Sequence, residues 1–193
     1  MILKRSSTEE FDNLLLYTRR ENIDSLLDWL HGTDFYECPA SSKYHGANER
    51  GLIYHSLSVY DCAIKLNNAL ALGINEDSIA ICALLHDICK ANCYKLDYRN
   101  AKVLNENTGV YEWQKVPYYR FDEDYKFGGH GSKSVYLISR YIPLKEDEAA
   151  AINCHMGSWG NVDENSVSKV FEDNKLAFLI HMADETSTFI YNL

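Results

Sequence analysis

The chain has 193 residues, enough for one compact domain with a substantial core and short for two. With 46% hydrophobic and 24% charged residues it has the composition of an ordinary folded protein, which excludes extensive disorder. A formal net charge of −9 argues against stable grip on a nucleic-acid duplex, while a local basic patch could still hold a small phosphorylated ligand.

From the N-terminus, Met1 to Thr8 lack the apolar core of a secretory signal, and no apolar run reaches the length of a membrane span. A cytoplasmic protein with no membrane partner is expected. Two short helices follow at about 8–19 and 22–31, the second carrying Ile23, Leu26, Leu27 and Leu30 on one stripe, with Gly32 placed to stop it. After a loop through Cys38 to Ser42, a helix is expected at 52–70, with Leu52, His55, Val59, Cys62, Leu66 and Ala69 at helical spacing. Residues 76–89 read as one further helix. It is apolar nearly all round (Ile79, Ile81, Leu84, Leu85, Ile88) and so belongs in the centre of the fold.

The character then changes. Two runs rich in Tyr, Val and Trp, at about 94–104 and 110–121, flank Asn105 to Gly109 and read as a β-hairpin. Helices resume at about 130–141, 146–156 and 174–190, with Pro143 and the stretch Gly157 to Gly160 as breaks. No repeat or linker divides the chain. The expected architecture is mostly α, one helical domain over residues 1–193, with a β-hairpin insertion near residues 94–121. Six cysteines form no Cys-x-x-Cys pair. Cys89 and Cys93, four apart, read as buried thiols because two further ligands for a shared metal are not evident beside them.

The chemistry-bearing residues fall on inward stripes. His55 lies between Leu52 and Val59, the His86-Asp87 pair interrupts the central apolar run, and His130 opens a helix after two glycines. His155 follows Ile152 by three and Asp184 follows Ile180 by four. A lone carboxylate facing a core is costly, so these groups need partners, and a shared metal would make them partners of one another. Imidazoles with carboxylates suit Mn, Fe, Ni, Co or Zn without choosing among them.

In this order the motifs resemble the HD-domain superfamily of metal-dependent phosphohydrolases. They are His55 in GLIYHSL, the doublet in LLHDICK, His130 in GHGSKS, His155 in INCHMG and Asp184 in HMAD, and the likeness spans roughly residues 33–187, after two helices that would pack on it. The resemblance implies an HD-like helical bundle with two divalent transition-metal ions. One would be held by His55, His86, Asp87 and Asp184, the other by His130 and His155 with Asp87 bridging. It also implies cleavage of a phosphate mono- or diester by metal-activated water, on a nucleotide or related small molecule. An HD-fold di-iron oxygenase and a non-catalytic nucleotide-binding module are the alternatives. The family often has glycine where Cys89 stands, and many dinuclear members have a histidine where Met156 stands, so a third metal is not expected.

Other residues are candidates beside this set. Lys90, one turn past His86, and Lys133, one turn past His130, are candidate cations for charge on a phosphoryl group. A lysine at a helix end can equally be a solvated one. His181, three before Asp184, is a candidate support for the ligands. His45 is a candidate substrate contact from the loop before the first ligand helix. Between Lys90 and Lys133, eight basic and six acidic residues are interleaved with aromatics, a pattern that suits a phosphate and a stacked base, although tyrosine also suits strands for its own sake. Arg99 and Tyr119 represent that hairpin as candidate substrate contacts.

Overall fold

Helix α4 (Glu76–Leu85) is the axis around which the other elements collect. Asn75 caps it by accepting the Ser78 N–H at 3.1 Å, and every side chain from Ser78 to Leu85 is buried. A helix apolar on all sides can satisfy that burial only if neighbours surround it. Here α3 (Gly51–Ala69), α6 (Glu146–Cys154), α8 (Lys175–Thr186) and α1 (Ser7–Tyr17) do so. Truncating a fully buried core leucine such as Leu84 to alanine should cost about 2–5 kcal/mol. The coordinates are those of a computed structural model, and they describe residues 7–43, 46–122, 127–160 and 162–193.

The N-terminal helices share this core. Phe11 of α1 packs on Phe35 and Tyr36 at ring separations of 5.2 and 5.8 Å, and Leu26 and Leu30 of α2 (Ile23–His31) are fully buried. Arg20, between the two helices, reaches Glu148 of α6 at 2.6 and 2.9 Å. Burial opposes ionisation of Glu148, but the Arg20 guanidinium, the Lys145 backbone N–H and the Ser78 hydroxyl outweigh it and hold the carboxyl below its ordinary range.

Two helices end sooner than the apolar pattern suggests. The run expected at 76–89 leaves the α conformation at Leu85, with His86 as C-cap, and continues as a 3-10 turn over Ile88–Lys90. Ile88 is fully buried, so hydrophobicity persists where the helix does not. The helix expected at 146–156 likewise stops at Cys154 with His155 as C-cap. The expected helix 174–190 is α8 followed by a π turn at Ser187–Tyr191. Helix α7 (Glu164–Asp173) answers to no expected element; Asp163 caps it through the N–H groups of Asn165 and Ser166, and Val167 is its one buried residue. The signal was there and was passed over: Val167, Val170 and Phe171 stand at helical spacing, and the latter two pack half-buried against the core.

Strands β1 (Tyr94–Asn105) and β2 (Val110–Phe121) pair antiparallel from Tyr94–Phe121 at the root to Asn105–Val110 at the tip. They form a two-stranded sheet whose outer half is largely exposed. Its root is fixed by the Asp122 N–H to Cys93 carbonyl bond (2.7 Å) and by Tyr94, whose hydroxyl donates to the Ala40 carbonyl (3.1 Å). Helix α5 (His130–Ser139) then returns against α6. Gly131 permits that approach, since a Cβ there would lie 2.4 Å from the Asn153 carbonyl oxygen. Among the described residues no helix is long and apolar enough to cross a membrane.

Candidate metal centre

Three histidines are oriented in the same way. His86 bonds the Ala83 carbonyl through Nδ1 (2.8 Å), and His155 bonds the Ile152 carbonyl through Nδ1 (2.7 Å). His55, from α3, bonds the Leu193 carbonyl through Nδ1 (2.8 Å). A carbonyl only accepts, so each ring carries its proton on Nδ1 and, when neutral, presents a lone pair at Nε2. These lone pairs converge. Nε2 of His55 and Nε2 of His86 lie 3.3 Å apart, a repulsive contact unless a cation or a proton sits between them.

Carboxylates complete the cluster. Asp184, on α8, places Oδ1 3.1 Å from His55 Nε2. Asp87, just past the end of α4, places Oδ2 3.3 Å from His86 Nε2 and 3.9 Å from His55 Nε2. Its Oδ1 stands 3.7 Å from His155 Nε2 and is buried without a hydrogen-bond partner. A buried carboxylate oxygen left unpaired, beside convergent imidazole lone pairs, fits a bound cation. The C-terminal ends of α4 and α6 point their partial negative charge at the same place.

Charge follows from this crowding. Burial works against an ionised Asp87, but Lys90 and His86 outweigh it and hold the carboxyl well below the usual range. Burial likewise opposes charge on Asp184, and His55 reverses the balance, so its carboxyl also lies low. Burial, reinforced by His86, lowers His155 to about 4, which keeps that ring neutral and fit to ligate. His86 goes the other way, raised by Asp87 against its burial.

The donors fall into three groups that could each hold an ion: His55, His86 and Asp184; His86, Asp87 and His155; and Asp87, Cys89 and His130. The pairing of His130 with His155 expected from the sequence is not among them. His130 instead stacks on Phe121 at 5.7 Å and turns its Nδ1 to the Cys89 thiol at 3.8 Å. Cys89, read from the sequence as an uninvolved buried thiol, is brought into the cluster because α4 stops early and the 3-10 turn swings it toward α5.

Lys90 is not a solvated helix-end lysine. Its side chain is 12% exposed and its ammonium lies 2.6 Å from Asp87 Oδ2. Lys133 donates instead to the Cys93 thiol at 3.5 Å. His181 donates from Nδ1 to the His155 carbonyl at 2.7 Å and stacks on Phe171, so it buttresses the segment that carries His155 rather than the cluster itself. Gly157, at φ +54, leaves room for that ring, 2.8 Å from where a Cβ would be. His45 lies outside the described residues.

A cavity of about 1010 Å³ opens over the cluster. Asp87, Lys90, His130, His155 and Asp184 line it, and so do Trp159, Thr188, Phe189 and Asn192. Trp159 and Phe189 are 81% and 70% exposed, which leaves their rings available to a ligand. Arg99 and Tyr119 are not among the lining residues, and the Arg99 guanidinium lies over the hairpin's own Tyr118 ring at 5.2 Å. Sequence reasoning missed both rim aromatics. Trp159 carried a signal, a large aromatic in a glycine-flanked break just after His155; Phe189 carried none, since it reads as one more apolar residue of a final helix.

A helical body presenting ordered histidines and aspartates around a buried centre defines the class, and the HD domain family model matches residues 52–188. The chain belongs to the HD domain family. It is 29% identical over 162 residues to dihydroneopterin 2',3'-cyclic phosphate phosphodiesterase of Methanocaldococcus jannaschii, covering 81% of this chain and 54% of that one. It is 31% identical over 115 residues to ribonuclease Y of Mycoplasmoides gallisepticum, covering 60% of this chain and 16% of that one. The chain thus spans about half the length of the first relative and a small part of the second. No solved structure matches it.

Proposed function

We propose that this protein is a metal-dependent phosphohydrolase that cleaves a small phosphate ester carrying a planar heteroaromatic group, such as a cyclic or linear nucleotide. The observation that carries this reading is Asp87: one oxygen is held by Lys90, the other lacks a partner, and histidine lone pairs converge around it at the edge of a large cavity. His55, His86, His155 and Asp184, with Asp87 between them, would hold divalent transition metal, two ions in all when His130 joins. Bound metal supplies Lewis acidity toward water and toward a phosphoryl oxygen.

The chain's own residues do the rest. The Nδ1–H bonds to backbone carbonyls fix the three imidazoles in the ligating tautomer. Lys90 orients Asp87 and offers positive charge where a phosphoryl group gains negative charge. Trp159 and Phe189 give a flat ring two aromatic faces against which to stack. The name of the archaeal relative, which specifies a pterin cyclic phosphate, supports a heteroaromatic cyclic phosphodiester as the first substrate to try.

The test is a screen of purified protein loaded separately with Mn, Fe, Co and Zn against 2',3'-cyclic and 3',5'-cyclic nucleotides, mononucleotides and plain phosphate esters. Hydrolysis of a heteroaromatic ester well above a plain one is expected. Oxygen consumption by the iron form, with no hydrolysis in any form, would replace this reading with an oxygenase.

A further inference from the structure

Cys89 is the donor in this cluster that neither the family resemblance nor the sequence pattern put forward. The residue is 2% exposed, and its thiol lies 3.8 Å from His130 Nδ1. Ligand atoms of Asp87, Cys89 and His130 all fall within 4.8 Å of one another. The geometry is held from three sides. The Cys89 N–H donates to the Ser134 hydroxyl of α5 (3.3 Å), the Cys93 thiol donates to the Cys89 carbonyl (3.2 Å), and Phe121 stacks on the His130 ring. Asp87, shared with the group it forms with His86 and His155, is 4% exposed, and its Oδ1, 3.7 Å from His155 Nε2, has no hydrogen-bond partner. These are two independent observations, a fixed thiol–imidazole pair and a buried carboxylate oxygen that lacks a donor.

From this juxtaposition we infer that the second metal position is a mixed carboxylate–thiolate–imidazole site, with Asp87, Cys89 and His130 as its ligands. The inference rests on the proposed metal centre and deepens it. Cys89 gives up its thiol proton to solvent as the sulfur–metal bond forms, and no electron changes hands. Thiolate is a soft donor, so this position prefers Zn, Fe or Co to Mg or Mn. His155 is left to the group it shares with His86 and Asp87.

Cobalt titration of the full chain reads both claims separately. Two equivalents should produce visible ligand-field bands, which report any occupied centre, and a near-ultraviolet thiolate-to-cobalt charge-transfer band, which reports sulfur ligation. In Cys89→Ser the charge-transfer band should vanish while ligand-field bands remain. Ligand-field bands in wild type without charge transfer would overturn the thiolate and leave the metal centre standing. Neither band would overturn both. A charge-transfer band that survives intact in Cys89→Ser would move the sulfur donor to another cysteine and overturn the assignment. X-ray absorption of zinc-loaded wild type needs no variant: a sulfur shell at about 2.3 Å is expected, and a shell of nitrogen and oxygen alone at about 2.0–2.1 Å would refute the site.

Discussion

The buried centre and the hairpin carry similar residue types and use them in opposite ways. Around Asp87, ionisable side chains sit in a low-dielectric interior and must compensate one another, so each orientation is fixed by another group. On the hairpin, the charges are satisfied locally and in water: Lys102 lies over Trp113 at 5.6 Å, Lys115 over Tyr98 at 5.4 Å and Arg99 over Tyr118 at 5.2 Å. Trp113 and Tyr111 are 69% and 65% exposed. Among the described residues the root is the part that reaches the cluster, through Phe121 on His130, while Tyr94 ties it to the Ala40 carbonyl. Composition therefore does not locate function; burial with unmet pairing demand does.

That contrast can be broken most directly at Asp87. Asp87→Ala should lower kcat/KM by about 10³-fold or more, and thermal unfolding should lose most of its dependence on added metal. A variant with wild-type turnover would dissolve the centre as described. Glu148→Ala separates folding from chemistry, since it strands Arg20 in a largely buried setting and should cost about 3 kcal/mol in denaturant unfolding. Turnover of the folded fraction should be unchanged. The sign with pH is fixed by the lowered carboxyl: its stabilisation is complete above the unfolded glutamate pKa of about 4.3 and fades as pH falls through the lower folded value. Glu148→Gln should therefore flatten the acid side of the stability profile, and an unaltered profile would mean the pair contributes nothing.

Smaller effects sharpen the comparison. Lys90→Met should lower kcat by about 10²-fold with metal content intact, which elemental analysis and steady-state kinetics measure together. If metal is lost in step with kcat, Lys90 serves only to hold Asp87. Trp159→Ala should raise KM about tenfold for a heteroaromatic ester and leave a plain phosphate ester unaffected, as expected for a stacking surface. An equal rise for both would make Trp159 a wall of the cavity and no more. Smallest of all is Arg99→Ala, with KM expected to stay within about twofold because the residue lies away from the cavity. A larger change would return the hairpin to the substrate site.

Much of the fold was legible because its signals are local. The stripe Ile23, Leu26, Leu27 and Leu30, the all-apolar run through Leu84 and Leu85, and the turn at Asn105 to Gly109 each answer to one periodicity or one turn; α2 and the hairpin stand where these place them, and α4 starts where its run does. His55, His86, Asp87, His130, His155 and Asp184 were legible as a set because polar groups on inward stripes require partners, while their division between two ions came only from the family resemblance. Tertiary structure alone decided the rest. It ended α4 at Leu85 and α6 at Cys154, where the histidines take a carbonyl of their own helix and turn Nε2 inward. It set Cys89 beside His130 and brought Trp159 and Phe189 to one rim. Those outcomes depend on where a chain leaves its helix and which distant turn it then meets, and hydrophobic periodicity, which continues through Ile88 after the helix has stopped, carries no record of either.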